Sequence, residues 1–182
     1  ARVIVTLSGN YRSKGIQDLA AAWAGILDTY PDTYWLLCGP EHPWLAEGVM
    51  PRLSRVADPK RIILTGRLQG ADTYEHLAAG DLHVNPTLCE GLNMATVDAA
   101  TVATPTVTSD AAGIADWVRR YDCGLVYDAG EVCDLQRAVT VALGDEGRLA
   151  RMGQNGRRMM AEFTSNAICS QLERLLRNVI QR

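Results

Sequence analysis

Two carboxylates and one lysine set the chemistry this sequence could perform. Glu90 ends the run Asn85-Pro86-Thr87-Leu88-Cys89-Glu90, is followed by Gly91-Leu92-Asn93-Met94, and has seven residues between it and Asp98. A strand-like apolar segment precedes this run and a helix-like segment starts at Met94. Glu90 therefore lies in a loop and Asp98 about one turn into a helix, a spacing that lets both acids face a cleft above the strand end. The helix start between them offers unpaired N–H groups and the positive end of the helix dipole, which suits an anion such as a diphosphate. The carboxylates would accept hydrogen bonds from hydroxyl-rich groups on either side. The plainer reading is that Glu90 caps the helix and Asp98 is a solvated helical residue, because acids gather near helix starts.

A second loop carries the positive charge. The first strand-like run ends in Ser8-Gly9-Asn10-Tyr11-Arg12-Ser13-Lys14-Gly15. Gly9 lets backbone approach a ligand closely, with Asn10 beside it. Arg12 and Lys14 could neutralise a diphosphate, helped by free N–H groups of the following helix. The loop has neither G-x-G-x-x-G nor a Walker A pattern, so dinucleotide and P-loop chemistry have no support. A basic residue beside a strand end is, on the general preference of Lys and Arg, more often a solvated charge.

The elements that must position these loops alternate along the chain. Strands are expected at Val3 to Leu7, Tyr34 to Cys38, Ile62 to Thr65, Leu82 to Asn85, Thr106 to Thr108 and Leu125 to Tyr127. The apolar spacing of Ile16, Leu19, Trp23, Ile26, Leu27 and Tyr30 predicts a helix, which Pro31 ends. Further helices are expected at Trp44 to Ala57 (kinked or interrupted at Pro51), Asp72 to Ala79, Met94 to Val102, Ile114 to Arg119, Val132 to Leu143, Arg148 to Phe163 and Asn166 to Val179. Strands separated by helices imply parallel βαβ units in one doubly wound α/β domain over residues 1–182, with ligands bound at the carboxyl ends of the strands.

Composition excludes other classes. The 182 residues are 47% hydrophobic and 21% charged, with a net charge of −3. That balance is globular and gives no support for nucleic-acid binding. No apolar run approaches the roughly 20 residues of a membrane span. The five cysteines form no C-x-x-C pair and their number is odd, so a disulfide framework or zinc site is not expected, and a cytoplasmic setting is. The histidines His42, His76 and His83 form no metal-ligand cluster. Trp23, Trp35, Trp44 and Trp117 are scattered as core residues are, and Asp110 reads as part of a strand-end turn.

Glu90-Gly91-Leu92-Asn93-Met94 with Asp98 resembles the E-G-F-G-L…E signature of retaining glycosyltransferases of family four, with the same spacing of acids. Ala103 to Ile114 is similar to that family's G-T-P-V-V-A-S-D-V-G-G-I segment, and Lys14-Gly15 to the pair opening the first helix of its donor domain. Gly124-Leu125-Val126, Arg151-Met152-Gly153 with Arg157, and Phe163 resemble later family positions, in family order. The resemblance implies the C-terminal, Rossmann-like half of a GT-B architecture, with the N-terminal acceptor domain absent from this chain. It implies that Lys14 binds the donor diphosphate, Asp98 the ribose, and Glu90 the transferred sugar together with backbone of Gly91, Leu92, Asn93 and Met94. It places the base near Thr65, Gly66 and Arg67. Glu90 and Lys14 would be catalytic, and no metal or other cofactor is expected. Peripheral membrane contact by a full-length protein is compatible with the resemblance.

There are three departures. The second acid is Asp98, one methylene shorter than the family's glutamate. The usual G-F-G is Gly91-Leu92-Asn93. The family often has an arginine where this chain has Gly9, and Arg12 is the candidate to supply that charge. Competing readings are a stand-alone flavodoxin-like nucleotide-binding or regulatory module, and part of a GT-B nucleotide-sugar epimerase. The last helix separates the first of these. It carries Ile168, Leu172, Leu175, Leu176 and Val179 on one stripe, which a stand-alone module would pack on its own sheet and a half-enzyme would leave open for another domain or copy.

Overall fold

A computed structural model describes residues 1–55 and 58–180. Six strands run β1 (Arg2–Leu7), β2 (Thr33–Cys38), β3 (Ile62–Gly66), β4 (Leu82–Asn85), β5 (Thr106–Ser109) and β6 (Gly124–Tyr127). All pair in parallel, in the order β3-β2-β1-β4-β5-β6. The helices are α1 (Ile16–Thr29), α2 (Met50–Leu53), α3 (Ala71–Ala78), α4 (Met94–Thr101), α5 (Ala115–Tyr121), α6 (Val132–Leu143), α7 (Glu146–Met159) and α8 (Ser165–Ile180). Parallel strands need crossovers, and helices on both faces bury the sheet.

The core explains the pattern of apolar residues. Ile16, Leu19, Ala22, Trp23 and Ile26 form the buried face of α1. They join Ile4, Trp35, Leu82 and Val107 of the sheet and Leu135, Val139 and Leu143 of α6 in one cluster. Trp23 and Trp35 meet at 5.5 Å between ring centroids, and Trp35 donates Nε1–H to Thr6 Oγ1 at 3.1 Å. The other face is covered by Leu77 of α3 and Ala99 of α4 against Val5. Val97, Ile114, Val118 and Met159 continue that cover across α4, α5 and α7. Truncating a buried leucine such as Leu19 to alanine costs about 2–5 kcal/mol, more than any helix propensity in α1 supplies.

Two segments differ from the sequence-based expectation. The helix expected from Trp44 is a π-helical turn, Leu45–Val49, followed by the short α2. Pro51 has no N–H to give to the carbonyl four residues back, and Met50 N–H instead reaches Leu45 O. Ala57, the expected end, lies outside the described residues. The expected Arg148 to Phe163 helix starts at Glu146, capped by Asp145 accepting from Arg148 N–H, and its last turn tightens to a 3₁₀ helix at Met160–Phe163.

Helix α8 buries none of its residues. Leu175 and Leu176 are 62% and 53% exposed, and Ile168, Leu172, Val179 and Ile180 are exposed with them. The stripe is therefore an unpartnered apolar face.

His83 sits in the middle of the sheet with no exposure. Its Nδ1 meets Thr106 Oγ1 at 3.0 Å. Burial lowers its pKa to about 4, so between pH 6.5 and 4 the unfolded chain takes up a proton that the folded chain refuses. Stability should be complete above pH 6.5 and fall progressively towards pH 4, by about 3 kcal/mol from this residue. Urea titrations of the wild type and His83→Gln across that window check it. The variant should show a flatter slope, and equal slopes would remove His83 as the cause.

Candidate functional site

The strand order reverses direction between β1 and β4, and the loops leaving these two strands both emerge there. Such a switch point leaves a crevice at the carboxyl ends of the strands. The β1 loop is residues 8–15, and the β4 loop is residues 86–93.

Two glycines and a set of backbone bonds hold the loops together. Gly15 has φ +61°, and a Cβ there would lie 1.8 Å from Pro86 O. Leu88 N–H donates to Ser13 O at 2.9 Å, and Thr87 Oγ1–H donates to the same carbonyl at 3.3 Å. On the other side, Glu90 N–H donates to Ala111 O and Gly113 N–H donates to Glu90 O, both at 3.2 Å. A Cβ on Gly113 would lie 1.7 Å from Gly91 O. The backbone of Glu90 is thus fixed between the β1 and β5 loops.

That framework brings Lys14 and Glu90 together. Lys14 Nζ forms an ion pair with Glu90 Oε1, the two side chains being 22% and 19% exposed. The other oxygen of Glu90 accepts from Asn93 Nδ2. Asn93 has φ +74°, a conformation that asparagine tolerates better than most side chains. Its Oδ1 caps α4 by accepting from Thr96 N–H at 2.7 Å. The cap takes the third amide, and among the described residues no backbone carbonyl takes the amides of Met94 and Ala95. At α1 the situation differs. The amides of Gly15, Ile16 and Asp18 are bonded to Arg12 O, Tyr11 O and Gly15 O, so that helix start is largely closed by its own loop.

Asp98 lies on α4, half-buried. Burial raises its carboxyl above the usual range, and a hydrogen bond from Tyr74 OH at 3.2 Å opposes that rise. Tyr74, on α3, was not singled out by the sequence, because nothing in its spacing marks it. Arg12 lies 5.6 Å from the Trp44 ring centroid, a cation–π contact that directs its guanidinium to Trp44. Gly9, Arg67, Ser8 and Thr73 line a 240 Å³ hollow at the ends of β1 to β3. A second hollow of 540 Å³, which shares Gly39 and Pro40 with the first, includes Tyr11, His42, Leu64 and Gly66. Thr65 Oγ1 bonds Gly66 O at 3.0 Å. Neither hollow is lined by Lys14, Glu90 or Asp98. Gly9, Asn10, Gly91, Leu92 and Met94 are exposed. Asp110 accepts from Ala129 N–H at 2.9 Å and belongs to a turn. Among the described residues no three His, Cys, Asp or Glu side chains gather as a metal-ligand cluster, and no helix is long and apolar enough to cross a membrane.

These features define a Rossmann-like α/β domain with one cation and two acids at its switch point. Residues 1–145 match the family described as glycosyl transferases group 1, and the chain belongs to that family. It is 30% identical to the alpha-maltose-1-phosphate synthase of Mycolicibacterium smegmatis, over 98% of this chain and 48% of that protein. Among solved structures it resembles the sucrose-phosphate synthase of Thermosynechococcus elongatus, with 26% identity, a TM-score of 0.81, and coverage of 99% of this chain and 46% of that one. The Anabaena protein Alr3699/HepE, solved in complex with UDP and glucose, has the same fold, with a TM-score of 0.82 at 20% identity over 97% of this chain and 48% of that chain. The chain thus spans about half the length of these relatives, and its sheet with flanking helices matches the glycosyltransferase GT-B fold.

Replacing Tyr74 tests the setting of Asp98. Tyr74→Phe removes the only hydrogen bond described to that carboxylate, so the Asp98 carboxyl should titrate higher still. A ¹³C NMR titration of the side-chain carboxyl reads this directly, and an unchanged or lower midpoint would contradict the contact.

Proposed function

We propose that this chain is the donor-binding domain of a retaining glycosyltransferase of family four, which binds a nucleoside diphosphate sugar and needs no metal ion. The observation that carries this reading is the meeting of Lys14 from the β1 loop with Glu90 from the β4 loop, beside the free amides at the start of α4. In it Lys14 and those amides hold the diphosphate and stabilise the charge that develops as the sugar leaves. Glu90 accepts hydrogen bonds from the transferred sugar, and Asp98 from the ribose. The hollow between Gly9 and Arg67 takes the base. The Anabaena relative's UDP and glucose make a uridine nucleotide the first ligand to try.

The reading also needs a second domain. Holding two reactants in register supplies much of a bimolecular enzyme's advantage, and the acceptor's positioning groups would come from an N-terminal domain outside this chain. The exposed stripe of α8 supports this, since a self-sufficient flavodoxin-like module would have packed Leu175 and Leu176. The unpaired cysteines fit a reducing compartment, so the cytoplasm is the proposed location, with peripheral membrane contact by the whole protein compatible with it.

Calorimetry with EDTA present tests the site. UDP or GDP, or a sugar conjugate of one of them, should bind. Lys14→Ala should weaken the nucleoside diphosphate about tenfold or more while leaving the nucleoside alone, because a charge-assisted hydrogen bond to phosphate is lost. Asp98→Asn should weaken both. No binding of either nucleotide at millimolar concentration would overturn the assignment.

The purified chain should bind donor yet transfer no sugar to an added acceptor, whereas the longer protein should. Product analysis by mass spectrometry distinguishes the cases, and robust transfer by the 182-residue chain would refute the half-enzyme reading.

A further inference from the structure

Lys14 is already paired within the protein. Its partner is Glu90, and Glu90 is itself held on its second oxygen by Asn93. Asn93 is 3% exposed, adopts a positive φ, and is anchored through Oδ1 to the first turn of α4. Its two functions need an acceptor and a donor on one short side chain, which asparagine supplies and glycine or aspartate does not. The only other cation of the β1 loop, Arg12, is drawn off to Trp44. One ammonium group therefore faces two claims, from the Glu90 carboxylate and from an incoming diphosphate.

We propose that Asn93 is a positioning residue that holds Glu90 against Lys14, so that an incoming diphosphate binds by displacing Glu90 from Lys14. The proposal rests on the donor-site reading above, and extends it from a set of contacts to an exchange of partners. The order of events follows from charge. Until phosphate arrives, Glu90 is neutralised by Lys14 and is a poor acceptor for sugar hydroxyls. Once phosphate oxygens take the ammonium, Glu90 keeps its bond from Asn93 and its other oxygen is released towards the sugar. Sugar recognition by Glu90 is then coupled to occupancy of the diphosphate position.

Asn93→Gly tests this without changing charge. Glycine fits the positive φ, and as an N-cap it costs only a few tenths of a kcal/mol relative to asparagine, so the domain should fold. Titrations with inorganic pyrophosphate and with UDP should give roughly three- to tenfold tighter binding in Asn93→Gly than in the wild type, the size expected when a partly buried ion pair loses its support. Glu90→Gln should tighten both ligands at least as much. In ¹⁵N NMR the Asn93 side-chain amide should be slow to exchange in the unliganded protein, and its shift should move on saturation with pyrophosphate. Unchanged or weaker pyrophosphate binding by Asn93→Gly would overturn the proposal, because simple repulsion between Glu90 and phosphate is untouched by that substitution. A wild type that binds pyrophosphate with this order of variants but binds no nucleotide would leave the proposal standing and defeat the nucleotide-sugar reading.

Discussion

The approach of α1 to the end of β4 is the constraint on which the site depends. Gly15 sits where a side chain would strike Pro86 O, and it turns the chain with a positive φ into α1. Without that contact the β1 and β4 loops would stand further apart, and Ser13 O could not accept from Leu88 and Thr87. Lys14 is the residue immediately before Gly15, so its position follows from the same contact. The ion pair with Glu90 is a consequence of backbone geometry, which the sheet order makes possible by placing β1 beside β4.

The polar residues inside the sheet serve the same end. Asn85 Nδ2 donates to Thr108 Oγ1 at 2.9 Å, and Thr104 Oγ1 donates to Leu77 O at 2.8 Å. Buried polar groups need partners, and leaving one unpaired costs about 1–3 kcal/mol. These bonds therefore fix β4 against β5 and α3 against the β5 entry. Glu90 is then joined to the β5 loop by a parallel bridge with Ala112. A site that must hold charges within hydrogen-bonding reach is built on strand ends that cannot slide.

Most of the fold was legible because its signals are local and repeated. Period and breakers placed all six strands, with ends off by a residue at most, as where Thr106 to Thr108 extends to Ser109, and they ordered the helices, although α7 ends at Met159 rather than Phe163. Around Pro51 the expected disruption occurs, but its form, a π turn in which Met50 N–H reaches Leu45 O, is not announced by the proline alone. Lys14, Glu90 and Asp98 were visible as types at a spacing, and the fold brings Lys14 and Glu90 into contact. What the sequence withheld is directional. Among the described residues the first two amides of α4 take no backbone carbonyl, whereas most of those at the α1 start are bonded to carbonyls of its own loop, which no residue pattern announces. The direction of Arg12 is set by Trp44, from a different element. Tyr74 reaches Asp98 across 24 positions, and its partner is defined only when α3 lies beside α4.

Two carboxylates in a site proposed for an anion look like a contradiction, and its resolution lies in what flanks the anion. A nucleoside diphosphate sugar carries hydroxyl groups at both ends and its charge in the middle. A carboxylate is the strongest side-chain acceptor for a hydroxyl, so acids belong at the ends. The same acids repel the middle, by an amount that grows as water is excluded. In the proposed site, pairing limits that repulsion. Asp98 is one turn along α4 from the amides of Met94 and Ala95, is half-buried, and receives Tyr74 OH. Glu90 is the one given a cation and an amide donor. Each acid is thus partnered, Glu90 by a cation and an amide and Asp98 by a hydroxyl, which suits the proposed ligand with its negative charge in the middle and its hydroxyl groups on either side.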